Sequence, residues 1–298
     1  MIKRTLYFGS QAYLSLKDNQ LVVKKREGDI VTAAIEDIAY IVLDSPQITV
    51  TNALLGTLLQ NNCAIINCDK THLPSGLLLP LSGNTLQSER FQAQIEASLP
   101  LKKQLWQQTV QQKILNQAAI LKSSKNIEIG NMTAWANSVR SGDADNREAV
   151  AAAYYWKEIF PEIPDFVRDR NGVPPNNMLN YGYAILRGVV ARALVSSGLL
   201  PTLGIHHHNR YNAYCLADDI MEPYRPVVDK LVLEILAEID ECPTDLSTEI
   251  KAKLLSIPVL DCVIDGNRSP LMNAVSTTTA SLAKCYLGTT RKLLYPEV

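Results

Sequence analysis

The segment LPSGLLLPLSGNTLQSER, residues 73–90, divides the chain into two parts of different character. It concentrates proline, glycine, serine and asparagine, which favour turns over regular structure. Short β-like patterns precede the segment, and long helical patterns follow it. We therefore place the boundary between two predicted domains after residue 80.

The first 80 residues predict a small β-rich domain. The stretch AYLSLKDNQLVVKK, residues 12–25, alternates apolar and polar residues around a polar KDNQ turn, a pattern typical of a β-hairpin. The runs IVTAAI and IAYIVLD add two strand candidates. The stretch TNALLGTLLQNNC predicts a helix capped by Asn52, and AIINCD predicts a buried strand. His72, in the loop that follows, is expected to be polar surface.

Residues 81–298 predict a larger all-helical domain. Residues 90–123 carry a long apolar pattern with a period of 3.6 residues, which is interrupted near Pro100. The pattern returns in later stretches, and Gly198 is a plausible helix end. These stretches are NREAVAAAYYWKEIF, MLNYGYAILRGVVARALVSSG and YRPVVDKLVLEILAEIDEC. The predicted fold class is therefore α+β, with a β-rich N-terminal domain and an all-α C-terminal domain.

The composition is that of a globular protein without an obvious charged partner. Hydrophobic residues make up 47% and charged residues 20% of the 298 residues, and the net charge is −1. The basic N-terminus lacks the apolar core of a signal peptide, and no apolar run approaches the ~20 residues that span a bilayer. The six cysteines show no C-x-x-C spacing, so we expect reduced thiols in a cytoplasmic protein.

An acidic cluster, Asp218, Asp219 and Glu222, is the first candidate for chemistry. Spacings of three and four residues would place all three carboxylates on one helical face. Two such charges 4 Å apart repel by ~4 kcal/mol at an effective dielectric of 20, and a divalent cation would remove that cost. A solvated acidic face at a helix start is the structural alternative.

Glu148 is a second candidate, although its position alone has an ordinary explanation. Asp143, Asp145 and Asn146 offer helix N-caps, so that Glu148 falls in the first turn, where glutamate commonly stabilises a helix. The alanines that follow would let a neighbouring segment approach closely.

Three consecutive histidines, His206, His207 and His208, form the third candidate. In an extended segment His206 and His208 would share one side, with His207 opposite, so the three cannot easily bind one ion. One imidazole with two or three carboxylates suits Mn²⁺ or Mg²⁺ better than Zn²⁺.

The order and spacing of these motifs resemble the family of CRISPR-associated protein one, the integrase subunit of CRISPR spacer acquisition. The resemblance rests on G-x-x-H at residues 204–207, on the fifteen residues from that histidine to the glutamate of DDIMEPYRP, and on the upstream NREAVAAAYYW. It covers nearly the whole chain, from LYFGSQAYLSLKDNQLVV to RSPLMNAVSTTTASL, and is similar to the type II form.

The resemblance implies that Glu148, His207 and Glu222 are the catalytic residues and the ligands of Mg²⁺ or Mn²⁺. Asp219, His206 and His208 would support them from nearby. The implied reaction is attack by a DNA 3′-hydroxyl on a phosphodiester of the CRISPR repeat, or hydrolysis when water attacks. Arginines near the motifs are candidates for phosphate contacts, with ordinary ion pairing as the alternative: Arg147, Arg168, Arg170, Arg210 and Arg225.

The resemblance also implies partners for each domain. Residues 1–80 would form a dimerisation domain, and residues 81–298 would form the catalytic domain. The implied partners are a second copy in a homodimer, the small subunit CRISPR-associated protein two bridging dimers in a heterohexamer-like complex, and double-stranded DNA, without any membrane.

Two other functions stay open. One is a DNA scaffold that keeps the fold without the chemistry, against which the intact set of Glu148, His207 and Glu222 argues. The other is an iron enzyme that uses His206, His208 and one carboxylate. Such iron sites usually lie in β-barrels, whereas this part of the chain is predicted to be helical.

Overall fold

The computed structural model describes residues 3–25, 28, 30–163, 166–239 and 241–298. It confirms the α+β fold class, with a β-rich N-terminal part and a mainly helical C-terminal part.

The strands are β1 (Arg4–Phe8), β2 (Ala12–Lys17), β3 (Gln20–Lys25), β4 (Ile30–Ala34), β5 (Ile38–Leu43), β6 (Ile48–Val50), β7 (Ala64–Cys68), β8 (Pro74–Leu78), β9 (Asp261–Ile264), β10 (Asn267–Pro270) and β11 (Pro296–Glu297). The helices are α1 (Asn52–Gln60), α2 (Gln87–Glu96), α3 (Leu99–Lys125), α4 (Gly130–Ser138), α5 (Arg147–Ile159), α6 (Asn176–Ser196), α7 (Cys215–Met221), α8 (Arg225–Leu236), α9 (Thr248–Leu254) and α10 (Leu271–Tyr286).

The N-terminal part contains two four-stranded sheets, with strand orders β1-β5-β7-β8 and β4-β3-β2-β6. The predicted hairpin is confirmed as β2 and β3, which pair antiparallel. Asp18 and Asn19 turn the chain with φ angles of 49° and 56°, as a two-residue hairpin loop requires. The predicted Asn52 cap is wrong, because Asn52 is the first residue of α1 and Thr51 holds the N-cap position.

The sheet β1-β5-β7-β8 lies between two hydrophobic cores. Ile41 and Ile65 face a core made within the N-terminal part, whereas Tyr40 and Ile66 face the core of the helical part. A strand that is buried on both faces has a continuous apolar sequence. This explains why the sequence of β5, IAYIVL, shows no alternation of apolar and polar residues.

A buried ion pair also joins the N-terminal sheet to the helical part. Asp44, directly after β5, lies 2.9 Å from Nζ of Lys251 on α9, and it also accepts a hydrogen bond from the Tyr7 hydroxyl. His72 is exposed, as expected for a polar surface residue, and its Nδ1 also lies 2.9 Å from the same carboxylate. The predicted boundary segment contains strand β8, and the division after residue 80 stays a prediction.

Helices α3 and α6 form the centre of the helical part, and both bury side chains along most of their length. The predicted interruption near Pro100 is confirmed: α2 ends at Glu96, and Ser98 caps the start of α3. Gly198, with φ of 69°, follows the end of α6, as predicted. Within the described ranges, no helix is long and apolar enough to cross a bilayer.

A small three-stranded sheet, with strand order β10-β9-β11, is an addition to the predicted all-helical region. Asp265 and Gly266 form its turn with φ angles of 50° and 73°. An Asp-Gly pair is a strong hairpin signal, but the flanking strands have only four residues each and carry little periodicity. The start of the predicted RSPLMNAV helix is therefore strand, and α10 begins at Leu271.

Candidate metal centre

Helix α3 provides one wall of the candidate centre through three side chains that lie on one side of the helix. Trp106, Lys113 and Asn116 are spaced by seven and three residues, which places them near one line along the helix axis. All three contact segments that carry predicted site residues: Trp106 contacts the histidines, Lys113 the two glutamates, and Asn116 the turn that contains Glu222.

Glu148 is held in the first turn of α5 by a buried cap. The carboxylate of Asp143 accepts the backbone N–H of Arg147 at 2.8 Å and that of Glu148 at 3.0 Å. Asn146 occupies the N-cap position in a left-handed conformation but makes no side-chain capping bond. Of the three predicted caps, Asp143 is therefore the one that caps this helix. Its carboxylate satisfies two N–H groups that would otherwise lack partners.

Glu222 follows α7 in a short 3₁₀ turn that ends where α8 begins. The buried amide of Asn116 donates to the carbonyl oxygens of Pro223 at 2.7 Å and Pro296 at 2.9 Å. This amide fixes the turn against α3, so the position of the Glu222 carboxylate depends on a contact with a distant helix.

The carboxylates of Glu148 and Glu222 converge on one cation, the ammonium group of Lys113. Its Nζ lies 2.6 Å from Oε1 of Glu148 and 2.6 Å from Oε2 of Glu222. Arg225 approaches the other oxygen of Glu222, with Nε 2.9 Å from Oε1.

These charges shift the titration of the groups that make the contacts. Burial disfavours the charged form of Glu222, but Arg225 and Lys113 outweigh it and lower its pKa to about 2. Burial also opposes the charge on Lys113, yet the attraction of Glu222 and Glu148 raises its pKa. Glu222, Lys113 and Arg225 are therefore charged at neutral pH.

The three carboxylates of the acidic cluster have separate partners, and whether they share one helical face stays a prediction. Arg187 lies 2.6 Å from Asp218, His207 lies 2.5 Å from Asp219, and Lys113 lies 2.6 Å from Glu222. Helix α7 ends at Met221, and Glu222 begins the 3₁₀ turn that follows it.

Asp219 organises the histidine segment from a fully buried position. Its Oδ2 accepts the backbone N–H groups of Ile205 at 2.7 Å and His206 at 2.9 Å, and its Oδ1 lies 2.5 Å from Nδ1 of His207. The hydrogen bond to Asp219 raises the pKa of His207, and the negative charges of Glu222 and Glu148 add to this. Because Nδ1 faces Asp219, Nε2 is the ring nitrogen that can act as a ligand.

The three histidines do not alternate as predicted for an extended segment. The ring of His206 stacks on Trp106 at 4.2 Å between centroids, and the ring of His207 meets the same indole edge-on at 5.5 Å. The chain bends at Ile205 and His206, which brings both rings to one side. His208 lines a neighbouring open cavity of about 470 Å³ together with His207 and Arg210.

The donor set fits a divalent cation in charge and in direction. Two carboxylate oxygens, Oε1 of Glu148 and Oε2 of buried Glu222, already meet at a single positive group. An imidazole nitrogen and carboxylate oxygens are common ligands of Mn²⁺. In the described parts of the chain, however, no three His, Cys, Asp or Glu side chains are assembled closely enough to form a metal site as they stand.

The five candidate arginines differ in their exposure and contacts. Arg225 is ion-paired with Glu222, and its guanidinium lies over the ring of Tyr183. Arg168 donates hydrogen bonds to Asn176 and Asn180, and Arg147 is partly buried. Arg170 and Arg210 are exposed. Whether any of the five contacts DNA stays a prediction.

The sequence interpretation missed three residues that shape this centre: Lys113, Trp106 and Asn116. All three lie on the long helix α3, which was described only by its apolar period. The signal that could have identified them is the alignment of a lysine, a tryptophan and an asparagine along one line of a buried helix. Polar groups in such positions need partners.

Comparison with known proteins identifies a family for this chain. The family model described as "CRISPR associated protein Cas1" matches residues 6–257. The CRISPR-associated endonuclease Cas1 of Neisseria meningitidis serogroup C (strain 8013) is 39% identical over 256 residues, which cover 86% of this chain and 83% of the relative. A casposase bound to integration product has a TM-score of 0.76 at 20% identity, covering 98% of this chain and 92% of the matched one. A chain of a Cas6-RT-Cas1–Cas2 complex also has a TM-score of 0.76, at 18% identity, covering 97% of this chain and 35% of the matched one.

Proposed function

This chain belongs to the Cas1 family of CRISPR-associated proteins, and we propose that it is a divalent-metal-dependent DNA endonuclease and integrase. In CRISPR immunity it would insert short duplex prespacers into the repeat array. The 3′-hydroxyl of the duplex attacks a repeat phosphodiester, and hydrolysis takes place when water is the nucleophile. The match to a relative named as an endonuclease supports the nuclease activity, and the casposase likeness supports the fold for integration.

The proposed ligands are Glu148, His207 and Glu222, with Mg²⁺ or Mn²⁺ as the ion. The two glutamates direct oxygens toward a common cation, and His207 offers Nε2 because Asp219 holds its Nδ1. When bound, the divalent ion supplies Lewis-acid stabilisation of the charge that develops on the phosphate oxygens. Three protein ligands leave coordination positions for the substrate.

The chain's other residues orient these ligands and the DNA. Asp219 fixes the ring plane of His207, and Trp106 supports the same ring from the side. Exposed Arg170 and Arg210 are the best placed of the five arginines to contact phosphate, since their guanidinium groups are available to solvent. Arg225 instead neutralises Glu222.

We also propose the assembly that the family implies: a homodimer through residues 1–80, joined by CRISPR-associated protein two. The outer strand β4 supports a protein contact in this part, because Ile30 is 61% and Val31 is 53% exposed on a sheet edge. Exposed apolar residues on an edge strand favour pairing with another chain.

The convergence of Glu148 and Glu222 on one cation carries the proposed function, and point variants test it. E148Q, H207A and E222Q should each lower Mn²⁺-dependent joining of a 3′-OH duplex to a repeat-containing plasmid by about 100-fold or more. The matched controls H206A and H208A change neighbouring imidazoles and should retain most of the activity. Size-exclusion chromatography should show an unchanged oligomeric state for all five.

Two results would contradict the assignment. Full joining activity in H207A with loss in H206A would exclude His207 as the ligand. Activity that persists undiminished in chelator, in wild-type protein, would exclude metal-dependent chemistry altogether.

A further inference from the structure

Lys113 is the charged residue of the centre that the proposed reaction does not use. Its side chain is 12% exposed, and the two carboxylates that it contacts are 23% exposed at Glu148 and 7% exposed at Glu222. The ammonium donates a hydrogen bond to Oε1 of Glu148 at 2.6 Å. Its contact with Oε2 of Glu222 is equally short.

The local charge is balanced without any ion. Glu148 and Glu222 contribute two negative charges, and Lys113 and Arg225 contribute two positive charges. Adding a divalent ion at the same oxygens, with Lys113 in place, would give this group of four side chains an excess of two positive charges in a poorly solvated position. Such an excess is costly because like charges repel strongly where water is scarce.

The two cationic partners of Glu222 are not equivalent. Arg225 contacts Oε1 of Glu222, whereas Lys113 contacts Oε2 and bridges to Glu148. A cation that is held by both glutamates must use the oxygens that Lys113 now contacts. Arg225 can therefore stay when an ion binds, but the ammonium of Lys113 cannot keep both of its contacts.

We propose that Lys113 is a built-in competitor for the divalent cation, so that its displacement from Glu148 and Glu222 sets the metal affinity of the centre. This inference rests on the proposed metal site. In the absence of metal, the ammonium of Lys113 neutralises the paired carboxylates and so stabilises the folded site. The same contacts weaken metal binding. Only an ion of higher charge can replace it at both oxygens.

Metal binding, measured without DNA, tests the competition. Mn²⁺ binding to wild type, K113M and K113Q is followed by electron paramagnetic resonance of the free ion, with E222Q as the variant that lacks a ligand. K122M is the matched control, because Lys122 lies on the same helix but is exposed. We expect the Kd for Mn²⁺ to fall at least about tenfold in K113M and K113Q, equivalent to about 1.4 kcal/mol, and to stay unchanged in K122M.

Thermal unfolding gives a second measurement. In chelator, K113M should unfold below wild type, because Glu148 and buried Glu222 lose the ammonium that bridges them and Arg225 is left to neutralise Glu222 alone. Added Mn²⁺ should raise its Tm more than that of wild type. K113Q keeps an N–H donor for Glu148 and extends the test if K113M does not fold in chelator.

The outcomes separate this inference from the proposed function. If wild type binds Mn²⁺ through Glu222, but both Lys113 variants bind with equal or lower affinity, the competition is refuted and the metal site stands. If Mn²⁺ binding is absent from wild type and from both Lys113 variants, or is unaffected by E222Q, the proposed metal site fails and the competition fails with it.

Discussion

Nδ1 of His207 lies 2.5 Å from Oδ1 of Asp219, whose other oxygen accepts two backbone N–H groups of the histidine segment. One buried carboxylate thus holds both the ring and the backbone of the proposed ligand. Because the ring is fixed through Nδ1, the direction of Nε2 depends on Asp219.

We expect D219N to weaken Mn²⁺ binding by about 10- to 100-fold, the usual effect of losing the group that orients a ligand histidine. An amide has a single acceptor oxygen, so it cannot serve the ring and the backbone donors together. The measurement is the Kd for Mn²⁺. D218N is the control, because the neighbouring Asp218 contacts Arg187 and Asn212 instead. Equal losses in the two variants would contradict the orienting role.

Gly204 has a steric reason to be glycine. A Cβ there would lie 2.4 Å from the carbonyl oxygen of His207 and 2.8 Å from Oδ2 of Asp219. G204A should therefore displace the His207–Asp219 pair and reduce DNA joining on the order of 100-fold. In G56A the added methyl meets no atom within 4 Å, and the helix should gain about 1 kcal/mol of stability. Undiminished joining in G204A would show that the segment adapts without loss.

Breaking the ion pair of Lys251 and Asp44 should be strongly destabilising, because removal of one partner leaves a buried charge. Their side chains are 9% and 1% exposed. We expect K251M to lower the free energy of unfolding by about 3–5 kcal/mol, measured by urea denaturation. K253M, two residues along α9, breaks the exposed pair with Glu238 and should cost less than about 1 kcal/mol. Similar losses in both variants would contradict the buried pair's larger effect.

Asp229 predicts a pH dependence of stability. Burial raises its pKa from 3.8 to about 6, although hydrogen bonds from Tyr183 and Tyr155 oppose the shift. The folded state then binds the proton more tightly than the unfolded state. The resulting stabilisation is complete below pH 3.8 and is lost as the pH rises through about 6, a change of up to about 3 kcal/mol.

The test compares wild type with D229N, which cannot titrate at this position. The stability of wild type relative to D229N should fall between pH 4 and pH 7, as measured by denaturant unfolding at each pH. Taking the difference removes the contribution of the other carboxylates. A constant difference across this range would contradict the raised pKa.

The parts of the fold with strong local signals were predictable. The hairpin of β2 and β3, the interruption before α3 and the end of α6 at Gly198 follow from turn residues and periodicity over a few neighbours. The sheet of β9, β10 and β11 was missed, because its strands are short and β11 comes from the chain terminus. Pairing between distant segments leaves no periodic signal in either of them.

The candidate centre was predictable in its residue types but not in its contacts. Spacing and family resemblance identified Glu148, His207 and Glu222 as the proposed ligands. The same spacing could not show that Asp218, Asp219 and Glu222 have separate partners, because Arg187, His207 and Lys113 come from other segments of the chain.

The division into β-rich and helical parts, the chemistry of the candidate ligands and the family of the chain could all be inferred from the sequence. Three contacts could be seen only in the folded protein: Lys113 lies between Glu148 and Glu222, Trp106 supports the histidines, and Lys251 reaches Asp44. The residues in each of these contacts are far apart along the chain. Their contacts arise where buried elements pack against each other, and a buried charge must find its partner there rather than in water.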